Sequence, residues 1–272
     1  MSARVSVRDG MAPWRVLRGV ACLLAAVLLL LAPLVVIVAV SFSAAPFLQF
    51  PPPGLSWRWY RNLAGDPAWL DAIVVSLQVL AVSATLATAI GTAAAYALAR
   101  GCIPGAGIIR GLLLAPIVVP GILVAAGLFG VFRGLGLNGT LTGLAIGHTV
   151  LTLPYVVATV GAAMEGLDPR LEDAAATLGA PPWAAFRRVT LPLLLPGVLS
   201  ALLFAAVVSF DELLVSLFVS TARVRPVPVQ MWSNLRGDFD PTVAAMASLC
   251  FLLALLALLL DALLRRRREP GA

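Results

Sequence analysis

The chain has 272 residues, of which 61% are hydrophobic and only 12% are charged, and its net charge is +6. A soluble domain is about half apolar and about a quarter charged, so this composition excludes a soluble globule and predicts a membrane protein. All 19 basic residues are arginines, and they stand between hydrophobic runs rather than along one stripe. Their distribution predicts orientation in a lipid bilayer and argues against nucleic acid as a partner.

Six long runs with few charges predict six transmembrane helices, because each supplies the about 20 residues that cross the hydrocarbon of a bilayer. The runs occupy residues 20–40, 72–98, 111–131, 141–163, 191–220 and 242–264. In the third run, the stretch APIVVPG contains Pro116, Pro120 and Gly121, which predict a kink. The predicted fold class is an all-α polytopic membrane protein.

The arginines predict which way the helices cross. An even helix count puts both termini on one side, and placing them in the cytoplasm leaves 13 of the 19 arginines inside. We therefore expect a multi-pass protein of the bacterial inner membrane with both termini cytoplasmic. The predicted organisation is a cytoplasmic segment 1–19, a first helix 20–40, an extracytoplasmic loop 41–69, a five-helix core 70–264 that includes a segment 165–192, and a basic cytoplasmic tail 265–272.

The polar segment between the fourth and fifth runs reads as a short helix. Asp168 followed by Pro169 is a helix start, and Gly179 followed by two prolines is a helix end. A second short helix over 183–189 is expected to bend at Pro192 into the fifth run. A connecting loop needs only a few residues, whereas about 25 separate the two runs, so a docking element is favoured over a simple connection.

This segment, EDAAATLGAPPWAAFRRVTLP, resembles the EAA signature of ABC importer permeases. The signature has an acid, two alanines and a glycine, then nine residues before a closing I-x-L-P, which Val189, Leu191 and Pro192 match here. Matched at the glycine, the acid falls on Asp173, and Glu172 stands directly before it, so which acid makes the contacts of the signature stays open. The resemblance assigns coupling to the ATPase to Glu172, Asp173, Ala174, Ala175, Gly179, Leu191 and Pro192.

In that family the segment is a coupling helix that fits a groove of a separate ATPase. The resemblance implies that this chain is not an enzyme and holds no cofactor, with ATP and magnesium bound by the partner ATPase. The sequence agrees, because it contains no G-x-x-x-x-G-K-[ST] loop.

Other stretches, such as GHTVLTLPYVVATV and SFDELLVSLFVS, are similar to permeases of the spermidine/putrescine branch. The resemblance implies an ATPase dimer, a second permease subunit that is homologous or identical, and an extracytoplasmic solute-binding protein. Permeases for other small solutes, such as ferric iron or phosphonate, are the alternative within the family.

Two acids lie within the fifth run, where an ionised carboxylate is costly unless it has a partner or a watery path. On a continuous helix Glu212 shares one face with Ser209, Ser216 and Ser220, and Asp211 points to the other side. We expect the translocation path to involve this polar stripe, with Asp211 held in a helix contact. In the alternative, both acids pair with arginines of a second permease and never touch solute.

Two further function classes stay open. A secondary carrier that works alone would use Glu212 as a proton or cation site. A membrane enzyme would need a polar cluster around His148, but no spacing in the sequence supports one, and a packed histidine is the favoured interpretation.

Overall fold

The computed structural model describes residues 13–101, 103–237 and 239–268, with side chains described for 17–101, 103–237 and 239–256. The ends of the predicted terminal segments, up to residue 12 and from residue 269, lie outside the described residues. The α-helices are α1 (Pro13–Ser41), α2 (Arg58–Gly65), α3 (Pro67–Ala99), α4 (Ala106–Val118), α5 (Gly121–Leu135), α6 (Leu141–Glu165), α7 (Arg170–Thr177), α8 (Pro182–Ala185), α9 (Leu191–Phe210), α10 (Leu214–Val219), α11 (Val227–Arg236) and α12 (Thr242–Arg268). The predicted all-α fold class is confirmed.

Four helical stretches in the described residues are long and apolar enough to cross a membrane: Leu17–Ser41, Pro67–Ala99, Leu141–Glu165 and Pro182–Phe210. The pair α4 and α5 passes the same test together but is bent by 105°, so it adds a fifth span if it is counted as one. Of α12, the apolar stretch with described side chains, Thr242–Leu256, is shorter than a full span. The count of six therefore stays a prediction.

The bend between α4 and α5 is much sharper than the expected kink. Pro120 has no N–H with which to continue a helix, and α4 ends at Val118, just before it. α5 starts at Gly121, directly after the proline. The Pro-rich stretch thus separates two helices rather than bending one.

The described chain forms two compact units. One contains residues up to 66 together with those from 234 onward, so α1 and α2 cluster with α12. In this unit the indole of Trp59 donates a hydrogen bond to the Ser43 carbonyl at 2.8 Å, and Asn62 donates to the Thr242 hydroxyl at 2.9 Å. These bonds fix the short helix α2 against the loop that follows α1 and against the start of α12.

The second unit, residues 67–233, is built around α3, α6 and α9. Its largest buried apolar cluster uses many small side chains, including Ala87, Ala201 and Ala205, beside Val156 and Leu194. Small residues let helix backbones approach closely, and this is how helices gain packing energy in lipid, where apolar burial alone gives little.

A buried polar network crosses this unit. His148 of α6 is 2% exposed, and its Nδ1 and Nε2 lie 3.0 Å and 2.9 Å from the hydroxyls of Ser209 and Ser216. Ser209 also lies 2.8 Å from the hydroxyl of Ser83. The network connects α3, α6, α9 and α10, and it makes His148 a packed histidine with both ring nitrogens bonded, as expected.

Gly91 of α3 marks the closest approach of α3 to α6. A Cβ at this position would lie 2.6 Å from Cγ1 and 2.9 Å from Cβ of Val156, which is closer than real Cβ atoms approach. Val156 is fully buried and has nowhere to move.

We therefore expect Gly91→Ala to lower the free energy of unfolding by about 1–3 kcal/mol through overpacking. Thermal unfolding of the detergent-solubilised protein, followed by tryptophan fluorescence, measures the change. Gly127→Ala in α5 is the matched control, because a Cβ there meets nothing within 4 Å. Equal melting temperatures for the two variants would contradict the close α3–α6 contact.

Candidate functional site

The segment between α6 and α9 folds as a short helix whose start matches the sequence prediction. Oδ1 of Asp168 accepts a hydrogen bond from the backbone N–H of Arg170 at 2.9 Å, and α7 runs over Arg170–Thr177. Glu172 and Asp173 fall in its first turn, where acids interact favourably with the positive end of the helix dipole.

The end of α7 is a Schellman motif centred on Gly179. The Gly179 N–H donates to the Ala176 carbonyl at 2.9 Å, and the Ala180 N–H donates to the Ala175 carbonyl at 3.0 Å. Gly179 has a φ of +85°, a left-handed conformation that side chains with a Cβ rarely adopt. Glycine is therefore required here to turn the chain from α7 toward α8.

Glu172 fastens α7 to two long helices. Its Oε1 accepts hydrogen bonds from Nη2 and Nε of Arg100, at 2.8 Å and 3.1 Å, and another from the Thr190 hydroxyl. Its Oε2 accepts one from the Tyr96 hydroxyl at 3.1 Å. Tyr96 lies on α3 and Arg100 directly follows it, whereas Thr190 directly precedes α9. We call these four residues the Glu172 clasp.

The electrostatics of the clasp favour the ionised pair. Burial raises the pKa of the Glu172 carboxyl, but the hydrogen bonds from Arg100, Thr190 and Tyr96 outweigh it and hold the pKa below its ordinary value of 4.5. The bond to Glu172 raises the pKa of the Arg100 guanidinium in turn. Both side chains are more than four-fifths shielded from solvent, so the pair is screened less than a surface salt bridge.

The two neighbouring acids of the signature therefore occupy different environments. Glu172 points into the clasp, whereas Asp173, the residue that aligns with the motif acid, is exposed. Leu178 and Trp183 are also exposed, at 89% and 67%. Of the two alanines, Ala174 is exposed and Ala175 is half-buried. The segment thus has one face bonded to its own helices and one apolar and acidic face left uncovered by the described residues.

The connection into the fifth span corrects the expected bend at Pro192. From Pro182 to Phe210 the chain stays helical through a π-helix at Phe186–Thr190. Pro192 has no N–H to donate to a helical hydrogen bond. The Leu191 N–H donates to the Phe186 carbonyl, five residues back, and this wider π-helical turn lets the helix continue through the proline. Phe186 packs edge-on against Tyr96, with ring centroids 4.7 Å apart.

The fifth span is discontinuous, which corrects the predicted polar stripe. α9 ends at Phe210, and α10 begins at Leu214. Glu212 lies in the break, where its Oε1 accepts a hydrogen bond from the Val215 N–H at 2.7 Å and so caps the first turn of α10. Ser209 and Ser216, expected beside Glu212, are buried and bonded to His148 instead.

Asp211 follows α9, and its side chain is exposed within the described residues. The helix contact expected for Asp211 stays a prediction. Of the residues predicted to line a path, the break thus leaves Asp211 exposed and Glu212 half-exposed, and the chain buries the serines. No glycine or proline marks the break, since residues 209–214 read SFDELL, and the two acids within it were interpreted as part of a regular helix.

Sequence reasoning also missed the partners of Glu172. Thr190 occupies a position that the signature leaves free, and Arg100 and Tyr96 are 72 and 76 residues away in the chain. The only available signal was the placement of an arginine at the end of the second span.

Comparison with known proteins identifies the family. Residues 87–270 match the model of the binding-protein-dependent transport system inner membrane component, which covers more than half of the chain. The chain belongs to this family. The permease is thus a transport protein of a multi-pass membrane family, and the expectation that it is not an enzyme is confirmed.

Two curated relatives are similar over most of the permease. The spermidine/putrescine transport system permease protein PotC of Haemophilus influenzae is 32% identical over 216 residues, which cover 79% of this chain and 84% of the relative. The putrescine transport system permease protein PotI of Escherichia coli K12 is 31% identical over 245 residues, covering 87% of this chain and 85% of the relative. The predicted resemblance to the spermidine/putrescine branch is confirmed.

The permease also has the fold of a solved ABC importer. A bacterial alginate ABC transporter, solved in complex with an alginate pentasaccharide-bound periplasmic protein, matches with a TM-score of 0.72 at 14% identity. The match covers 95% of this chain and 96% of the other. At this identity the likeness shows the fold, and it agrees with the predicted class of ABC permease.

The clasp predicts how stability depends on Glu172 and on pH. We expect Glu172→Gln to lower the free energy of unfolding by about 1–3 kcal/mol, because it weakens charge-assisted hydrogen bonds and leaves Arg100 without its acid. The carboxyl has a lowered pKa in the folded protein, so its contribution is present above pH 4.5 and is lost as the pH falls through the lower folded value.

The difference in melting temperature between wild type and Glu172→Gln should therefore be constant above pH 4.5 and shrink below it. Asp173→Asn is the matched control, since this neighbouring acid is exposed and loses its charge interactions without leaving a buried partner, so its melting temperature should fall less than that of Glu172→Gln. A larger loss for Asp173→Asn than for Glu172→Gln would contradict the assignment of Glu172 as the anchoring acid.

Proposed function

We propose that the permease forms the transmembrane path for a linear polyamine of the spermidine/putrescine type in an ATP-driven importer. The observation that carries the coupling part of this proposal is the Glu172 clasp. It joins α7 to the end of α3 and to the start of α9, so a force on α7 moves two of the three central helices of the unit together. A connecting loop without such bonds would absorb the force.

The uncovered face of the segment supports a separate ATPase as the source of that force. Asp173, Leu178 and Trp183 expose an acid and two large apolar side chains on a structured element, which is the composition of a docking surface rather than a solvated loop. In this proposal the face lies in the cytoplasm, both termini lie on the same side, and ATP and magnesium bind only to the ATPase subunits. The excess of arginines on that side supports the orientation.

A second permease subunit completes the path. Large apolar side chains are exposed along α5 and α9, among them Leu123 at 61% and Val207 at 54%. Lipid covers part of this surface, and in the proposal a homologous or identical subunit covers the part that faces the path. In the proposal an extracytoplasmic binding protein delivers the solute, and the name of the family, which describes its transport systems as binding-protein-dependent, supports this part.

The relatives and the charge at the helix break support the substrate class. PotC and PotI carry the names of spermidine and putrescine systems and align with most of this chain. Asp211 is exposed and Glu212 is half-exposed where α9 ends, so negative charge stands where a polycation would enter. Closure of the ATPase pair would move α7 and, through the clasp, α3 and α9, exchanging outward and inward access.

Docking is tested with a substitution on the uncovered face. We expect Leu178→Ser to weaken association with the ATPase subunit about tenfold or more, because burying a leucine side chain contributes about 1.5–3 kcal/mol and Leu178 is 89% exposed on the uncovered face. Co-purification of the permease with a candidate ABC ATPase subunit, followed by titration in detergent, measures the affinity. Leu135→Ser at the end of α5 is the control, because Leu135 is also exposed, at 65%, and has a predicted extracytoplasmic position. An equal loss in both variants would contradict docking at α7.

The substrate class is tested by uptake. Proteoliposomes that contain the complete transporter and its binding protein should accumulate radiolabelled putrescine or spermidine only when ATP is supplied on the ATPase side. Asp211→Asn should lower uptake at limiting solute, because it removes an exposed negative charge from the entrance. Uptake of polyamine by the permease alone would favour a secondary carrier, and transport of trehalose but not polyamine would overturn the proposed substrate.

A further inference from the structure

His148 of α6 is bonded to both sides of the break in the fifth span. Its Nδ1 lies 3.0 Å from the hydroxyl of Ser209, in the last turn of α9, and its Nε2 lies 2.9 Å from the hydroxyl of Ser216, in the first turn of α10. A neutral imidazole donates at one ring nitrogen and accepts at the other, and a serine hydroxyl can do either, so both bonds form together. We call these three residues the histidine bridge.

Each end of the bridge lies next to one of the two acids in the break. Asp211 comes two residues after Ser209, and its side chain is exposed. Glu212 accepts a hydrogen bond from the N–H of Val215 at 2.7 Å, and Val215 directly precedes Ser216. The last turn of α9 therefore places Asp211, whereas the first turn of α10 holds the carboxylate of Glu212.

The short helix α10 depends on its neighbours for its position. It has only six residues, and so short a helix is unstable by itself. It lies against α6 directly beside the bridge, since a Cβ on Gly147 would approach Cγ1 of Val215 to 2.8 Å. Apolar packing is non-directional, whereas hydrogen bonds have a preferred geometry. The bond from His148 to Ser216 is therefore what fixes the orientation of α10 relative to α9.

We propose that His148 is a positioning residue for the solute: the histidine bridge fixes the separation of the Asp211 and Glu212 carboxylates, which bind the ammonium groups of a polyamine. The inference rests on the proposed function and adds to it the side chain that presents the two acids. His148 is only 2% exposed, so it acts through the acids and does not touch the solute. Carboxylates held at a fixed separation bind a cation without first losing conformational freedom.

The bridge is also connected to the coupling segment. The hydroxyl of Ser209 lies 2.8 Å from that of Ser83 on α3, and α3 carries Tyr96 of the Glu172 clasp. Ser216 belongs to α10, which packs on α5 and α6. A displacement of α7 that moves α3 and α9 therefore changes the position of one end of the bridge relative to the other. The separation of the two acids then depends on the state of the ATPase.

The test measures the amount of putrescine transported per ATP hydrolysed in proteoliposomes that contain the complete transporter. The binding protein is supplied loaded and at saturation, so capture of the solute does not limit the rate. We expect His148→Ala to lower this ratio at least about fivefold, the scale of losing one buried hydrogen bond, because solute that is not held is not carried through the cycle. ATP hydrolysis stimulated by the binding protein should stay close to the wild-type rate.

Two further variants accompany His148→Ala. Ser216→Ala keeps the imidazole and removes one end of the bridge, so it should also lower the ratio. Thr149→Val is the control, because this neighbouring buried hydroxyl donates to the Ala145 carbonyl of its own helix at 2.7 Å. Its ratio should equal that of wild type.

A combined variant separates positioning of the acids from a general structural effect. The double variant Asp211→Asn, Glu212→Gln should lower the ratio by itself. Adding His148→Ala should then lower it no further, because the bridge acts through these two acids, and effects of residues that act as a unit are not additive. A further loss in the double variant, as large as the loss in wild type, would overturn the inference.

The remaining outcomes are equally decisive. If His148→Ala does not assemble by size-exclusion chromatography, the ratio in Ser216→Ala decides. Failure of both variants to assemble, or an equal fall of transport and ATP hydrolysis in both, would mean that the bridge only holds the fold and would overturn the inference. An unchanged ratio would overturn it too. Wild type that transports no polyamine would instead overturn the proposed substrate and, with it, this inference.

Discussion

One carboxylate joins the parts of this permease that have to move together. Glu172 accepts hydrogen bonds from Tyr96, Arg100 and Thr190, so α7 is bonded both to α3 and to the chain entering α9. Without these hydrogen bonds, the covalent connections of α7 would be the chain at Pro169 before its start and the turn at Gly179 after its end. Successive residues of a helix are rotated by about 100° around its axis. Asp173 therefore does not point into the clasp with Glu172, and its side chain is exposed.

A second constraint is that polar groups buried inside the apolar helix bundle need hydrogen-bond partners. His148 is bonded at both nitrogens by serines of α9 and α10, and this fixes the two pieces of the broken fifth span relative to α6. Glu212 completes the break by capping α10. Backbone groups released where a helix stops need such partners in lipid, and here the chain supplies them itself.

The predictions that held were the ones that depend on local chemistry. The helix start at Asp168 and its end at Gly179 follow from capping and from a left-handed glycine, which act within a few residues. The predictions that were wrong assumed a regular helix: the stripe through Glu212 and the bend at Pro192. A helix break or a π-helical turn leaves backbone N–H and C=O groups that need other hydrogen-bond partners. Tertiary packing supplies these partners, so residue types alone do not predict the break.

The sequence by itself determined the class of this protein. Its apolar composition requires lipid, its arginines predict orientation, and its EAA-like segment indicates the ABC permease family, because each of these depends only on residue type and spacing. Only the tertiary structure decided that Glu172 and not Asp173 anchors α7, and that Ser209 and Ser216 bond His148 rather than share a helix face with Glu212. These outcomes depend on helices up to 126 residues apart in the chain meeting in three dimensions, as Ser83 and Ser209 do, and such contacts leave no local pattern.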